Sequence, residues 1–243
     1  MKATVFVTWD DAPHLSEAAK QAQMASIRPE QRASRTKGVP SLGAGAIYQV
    51  AEEDIRVPGF PIPDYWPRAF GMDVGWNRTA LLWAARNPDT GGIYVYDEYY
   101  RGQAEPSVHA TGIKARGDWI PGAIDPAARG RSQIDGKKLF DMYVDLGLDL
   151  IKADNTRETG IQTVWELLSQ GQLKVFASCT NFFSEYRLYR RDERGMVVKK
   201  NDHLMDALRY LIMTGIGRAI VAPKLRLDGR PWFYWDPGDR WIG

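Results

Sequence analysis

Between residues 69 and 99, three apolar runs of β character follow one another too closely for a helix to fit between them. They occupy residues 69–74, 79–86 and 93–99, and Asn87-Pro88-Asp89-Thr90-Gly91-Gly92 before the third is a strong turn signal. Short turns between successive strands predict an antiparallel meander. Downstream the period changes. Helical stretches at 105–116, 133–146, 158–170 and 180–191 alternate with short apolar strands at 119–124, 148–153 and 173–176. A hairpin centred on Gly195 then leads into a last helix at 202–215. This order predicts an α/β fold: one mixed sheet, the antiparallel meander extended by parallel strands, with helices on its faces.

The flanks read differently. A short strand at 4–8 and a helix near 16–26 come first. Over residues 29–67, Pro40, Gly43, Gly45, Pro58, Gly59, Pro61, Pro63 and Pro67 recur without periodicity, which predicts an extended connector. After Arg218, the aromatic residues Trp232, Phe233, Tyr234, Trp235 and Trp241 stand among Pro, Gly and charges, an irregular tail. The expected division is therefore 1–67, 68–218 and 219–243.

Composition narrows the chemistry. One cysteine, Cys179, excludes an internal disulfide and a multi-cysteine zinc site and suits a reducing cytosol. His14, His109 and His203 are too scattered for a histidine-rich metal site, which leaves a hard-metal site built from Asp and Glu open. No apolar run approaches the roughly 18 residues of a membrane helix and no signal-peptide core is seen, so a soluble, non-exported protein without membrane partners is expected. A net charge of +2 is too small to argue for nucleic acid by itself.

Three acids stand out by position. Asp73 closes the first strand of the meander, Asp125 closes the fourth strand, and Asp206 lies in the last helix with Asp202 and His203 on nearby turns. A carboxylate at the end of an apolar strand is costly unless its charge is compensated, and strand ends are where ligands gather in α/β sheets. If the first and fourth strands are neighbours, Asp73 and Asp125 share one end of the sheet and a crossing helix can deliver Asp206. Clustered carboxylates repel, and divalent cations relieve that repulsion. An oxygen-rich set favours Mg²⁺ or Mn²⁺, and two such ions roughly 3.5–4 Å apart can drive phosphodiester hydrolysis. Taken singly, a strand-end aspartate also suits a turn, Asp202 the N-cap of the last helix, and His203 a structural position.

Gly71-Met72-Asp73-Val74-Gly75, Ile124-Asp125-Pro126-Ala127 and the block running from Asn201 through Asp202, His203 and Asp206 to Tyr210 resemble the C-terminal nuclease domain of large terminase subunits from tailed phages. The resemblance covers about 69–217. It implies a ribonuclease-H-like fold and an endonuclease that cleaves concatemeric double-stranded DNA during genome packaging. It implies metal ligation by Asp73, Asp125 and Asp206, with Asp202 as an accessory and His203 close by. Implied too are portal protein and small terminase subunit as partners, and the cytoplasm of the infected bacterial host as location. Trp9 to Leu15 and Gly38 to Gly43 look like the end of the family's ATPase domain and its linker. No Gly-x-x-x-x-Gly-Lys-Ser/Thr phosphate loop is found, so no ATPase activity is expected from this chain.

Two basic groups could track a DNA backbone. Arg129, Arg131, Lys137 and Lys138 follow Asp125, and Arg187, Arg190, Arg191, Arg194, Lys199 and Lys200 flank the Gly195 hairpin. The second group is the stronger candidate for phosphate contact, because a basic hairpin beside the acids can follow a groove. A solvated charged face is its plain alternative. Trp76 and Asn77 are expected in a loop at the catalytic mouth. Competing readings are a resolvase- or transposase-type ribonuclease-H-like nuclease, a non-cutting DNA- or portal-docking module, and an actin-like sugar kinase or chaperone ATPase, whose second phosphate loop is missing here.

Overall fold

The computed structural model describes residues 16, 20–21, 45–127 and 139–223. The strand expected at 4–8, most of the helix at 16–26, Arg129, Arg131, Lys137, Lys138 and the aromatic tail lie outside the described residues. A seven-stranded mixed sheet forms the centre, in the order β1-β7-β4-β3-β2-β5-β6. Its strands are β1 (Arg56–Val57), β2 (Arg68–Asp73), β3 (Thr79–Arg86), β4 (Ile93–Arg101), β5 (Gly122–Ile124), β6 (Leu150–Lys152) and β7 (Leu173–Phe176). The pairs β2–β3 and β3–β4 are antiparallel. Parallel strands extend this meander on both sides, β5 and β6 beyond β2, and β7 and β1 beyond β4. The helices are α1 (Glu52–Ile55), α2 (Pro106–Lys114), α3 (Leu139–Asp145), α4 (Arg157–Ser169), α5 (Thr180–Leu188) and α6 (His203–Tyr210). Among the described residues no helix is long and apolar enough to cross a membrane.

Several elements depart from the sequence pattern for physical reasons. Residues 52–57, expected as extended connector, form one helical turn and the edge strand β1, because β7 offers a parallel partner that local sequence does not reveal. β5 is limited to three residues. Pro121 precedes it and has no N–H to donate, so it serves the sheet only through its carbonyl, which accepts from Phe70 N at 3.0 Å. The helix expected over 180–191 stops at Leu188, and Tyr189 and Arg191 turn to pair with residues 45–47. The last helix is α-helical only to Tyr210. A π-helical turn, Leu211–Gly215, and a 3₁₀ turn, Ile216–Arg218, complete it.

Strand alternation divides the core into two faces. On β2 and β3, Phe70, Met72, Leu81 and Trp83 point into a cluster with Ile113 and Tyr143 from α2 and α3. Ala69, Ala80, Leu82 and Ala84 point the other way, into the larger cluster under α4, α5 and α6. Most of the residues on that second face (Ala69, Ala80 and Ala84, with Gly71) are small, and α6 lies correspondingly close. A Cβ on Gly71 would stand 2.2 Å from the carbonyl oxygen of Ala207. Gly71→Ala is therefore expected to push α6 off β2 and to cost about 2–3 kcal/mol, read as a lower denaturant midpoint. An unchanged midpoint would mean that α6 yields freely at this contact. Asp73 follows Gly71 by two residues, so it shares the face on which α6 rests.

Candidate active site

Two neighbouring strand ends and the first turns of α6 build the site. β2 and β5 pair in parallel with Met72 opposite Ile124, and Asp125 N donates to Met72 O at 2.9 Å. This register sets Asp73 and Asp125 side by side. The close seat of α6 on Gly71 brings Asp206 over the same end. Asp73 feels both neighbours: burial first, then the charges of Asp206 and Asp125, push its carboxyl from 3.8 up to about 6, against the pull of His203. The three acids thus lie at one end of the sheet, Asp206 buried and Asp73 and Asp125 half-buried.

Each acid has a distinct partner. His203 Nδ1 lies 2.9 Å from Asp73 Oδ2, and that hydrogen bond raises the histidine's pKa. Asp125 Oδ1 accepts from Tyr210 Oη at 3.1 Å and from Ala127 N at 2.9 Å. Asp206 Oδ1 accepts from Arg209 Nη2 at 2.9 Å, and Arg209 is wholly buried. The same guanidinium reaches Asn155 Oδ1 at 3.0 Å, which fixes its plane. Gly160 on α4 makes room for it, since a Cβ there would meet Arg209 Cγ at 2.4 Å.

Asp202 occupies the N-cap position of α6, yet its side chain makes no capping hydrogen bond. Its Oδ2 is buried without a partner, and burial, then Asp206, raise its pKa. Capping comes from Glu185 on α5 instead. Its Oε2 accepts from Leu204 N at 2.6 Å while Oε1 accepts from Tyr100 Oη at 2.6 Å. Sequence reasoning missed Glu185, Arg209 and Tyr210 as supports of the site. A visible signal existed for Glu185, a charge among the core-facing Phe182, Phe183 and Tyr186 of its helix.

The donor set suits a hard divalent cation. It offers three converging carboxylates, and the orphaned Asp202 oxygen lies beside them. Among the described residues, however, no three His, Cys, Asp or Glu side chains already stand in ligating geometry. Asp73, Asp125, Asp206 and Asp202 fit a hard divalent cation by the chemistry of their oxygen donors.

The hairpin arginines are not equivalent. Arg191 pairs with Glu158 at 2.5 and 3.2 Å and bonds Gly195 O, and Arg187 forks onto Glu52 at 2.7 and 2.8 Å. Arg190, Arg194 and Lys200 are exposed with no ion pair among the described residues. Lys199 turns toward Asp206. Trp76 is 65% exposed, in a loop anchored by the hydrogen bond from Gln103 N to Trp76 O at 2.8 Å.

Residues 70–214 match the family model described as the terminase RNaseH-like domain. The chain is 32% identical over 217 residues to the large terminase subunits of Enterobacteria phage LP7 and Salmonella phage P22, covering 85% of this chain and 45% and 43% of those proteins. It therefore spans about half the length of the curated relatives it matches. The P22 large terminase nuclease domain superposes with a TM-score of 0.66 at 30% identity, over 74% of this chain and 97% of that one. The large terminase of a thermophilic bacteriophage, in complex with ADP, gives 0.61 at 25% identity, over 85% of this chain and 54% of that one. By matched length, by identity to whole relatives and by architecture, the chain belongs to the terminase RNaseH-like domain family.

Proposed function

We propose that the chain is a divalent-cation-dependent endonuclease that cuts double-stranded DNA with little sequence preference during phage genome packaging, in a complex with portal protein and small terminase subunit. One observation carries this reading: Asp73, Asp125 and Asp206 converge at one sheet end within a family of terminase ribonuclease-H-like domains. Asp73, Asp125 and Asp206 would hold two Mg²⁺ or Mn²⁺ ions, with Asp202 as an accessory. Such ions, when bound, would supply activation of a water and stabilisation of charge on the leaving oxygen. The chain's own residues do the positioning. His203 orients Asp73, Tyr210 orients Asp125 and Arg209 orients Asp206. Supercoiled plasmid incubated with the protein and Mn²⁺, Mg²⁺ or EDTA tests the reading; cleavage that persists in EDTA would refute it.

Arg190 and Lys200 are the hairpin cations best placed to meet phosphates, and Arg129, Arg131 and Lys137 form the second candidate group. Such contacts neutralise phosphates without reading bases. Arg190→Ala with Lys200→Ala is expected to lower the slope of log affinity against log salt by about 2, equally on two unrelated duplexes. Arg191→Ala, which breaks the pair with Glu158, should act through hairpin stability and leave that slope nearly unchanged. Coincident slopes for wild type and the double variant would place the DNA track elsewhere.

A further inference from the structure

Asp206 presents its two oxygens to different surroundings. Oδ1 is fixed by the buried Arg209. Oδ2 makes no hydrogen bond among the described residues, and Arg157 Nη2 and Lys199 Nζ each face it at 3.8 Å. That separation is too long for a hydrogen bond, so both groups act on the oxygen as charges alone. Both also reach solvent, the Lys199 side chain being 56% exposed and that of Arg157 31%. Arg157 opens α4, whereas Lys199 ends the basic hairpin, just before Asn201 turns the chain into α6 with φ of 54°.

We propose that Lys199 and Arg157 stand in for the divalent cation on Asp206 Oδ2, and that a DNA backbone meeting the hairpin draws Lys199 away and opens this oxygen to the cation. The inference rests on the reading of the site as a cation-dependent nuclease and adds an order to its assembly. A divalent ion cannot approach Oδ2 without meeting two like charges, so the resident side chains weaken its binding. A phosphate is the group that relieves this. Lys offers it a mobile point charge and Arg a planar fork. By linkage, DNA and cation then strengthen each other's binding. Without DNA, the carboxylate stays neutralised by the protein and the site stays poorly loaded.

Isothermal titration of Mn²⁺ into the DNA-free chain tests this without reference to cleavage. Lys199→Met is expected to tighten Mn²⁺ binding about threefold, and Arg157→Met by a similar factor. Arg194→Met removes an equal charge from the exposed hairpin and should leave the affinity unchanged. A saturating short phosphorothioate duplex should tighten Mn²⁺ binding more for wild type than for Lys199→Met, because the variant has no lysine to release. Equal Mn²⁺ affinity in wild type, Lys199→Met and Arg157→Met overturns the proposal while leaving the nuclease reading intact. Equal tightening by Arg194→Met also overturns it, since general charge would then explain the effect. Absence of Mn²⁺ binding in every protein overturns the proposal and the nuclease reading together.

Discussion

Asp73→Asn is expected to lower plasmid cleavage by at least about 100-fold while raising the melting temperature of the metal-free protein. Loss of a group that merely orients a ligand costs roughly 10- to 100-fold, and loss of the ligand itself costs more. Stability moves the other way because the side chain of Asp73, 13% exposed, sits where its charge is unwelcome. Its pKa in the fold, about 6, lies above the ordinary 3.8, with burial the largest cause. Below about pH 3.8 both folded and unfolded states hold the proton and no penalty exists. As pH rises through about 6 the folded state must ionise a buried carboxyl, and stability is lost. The full difference corresponds to about 3 kcal/mol. An amide recovers part of it, for a rise of roughly 5 °C at neutral pH. The gain should shrink toward zero as pH falls to about 4, in EDTA-treated samples followed by thermal melting. A variant less stable than wild type at pH 7 would show that Asp73 supports the fold and does not strain it.

Arg209→Met is expected to cost about 3–5 kcal/mol, a fall in melting temperature of roughly 10 °C. The guanidinium is wholly buried and joins Asp206 to Asn155 through two different nitrogens. Methionine fills much of the volume but leaves the Asp206 carboxylate with only Arg157 and Lys199, both at 3.8 Å. Breaking a buried pair from one side costs more than the pair contributes, because the other charge remains. Adding Asp206→Asn to Arg209→Met should therefore restore part of the loss, a non-additivity that simple loss of packing does not produce. Arg209→Lys should not rescue, since one ammonium cannot reproduce a planar fork gripping two groups. Wild-type melting of Arg209→Met would show that this pair does not hold the fold together.

What the sequence disclosed follows the range of the forces involved. The meander was legible because short turns and period-two alternation are local, and the mixed sheet followed from element order. β1 was hidden, since two residues beside a Pro- and Gly-rich stretch become a strand only by pairing with β7. The π-helical end of the last helix was hidden as well, because its apolar pattern also suits a continuous α-helix. Asp73, Asp125 and Asp206 were visible as charges in apolar settings. Glu185 was visible too, but nothing local announces that a carboxylate on α5 will cap α6. Arg209 reads from the sequence as an ordinary cation in a helix's last turn, and only the packing of α4 against α6 through Gly160 reveals it as buried.

The proposed activity is DNA cleavage that depends on divalent ions held by Asp73, Asp125 and Asp206. The most direct test is the rate of supercoiled-plasmid cleavage in Mn²⁺ by wild type and by Asp73→Asn, Asp125→Asn and Asp206→Asn, prepared identically, with EDTA controls. Wild type should cut, EDTA should stop it, and each single variant should fall by at least about 100-fold while remaining folded. Cleavage at the wild-type rate by any folded variant of the three, or by wild type in EDTA, would contradict it.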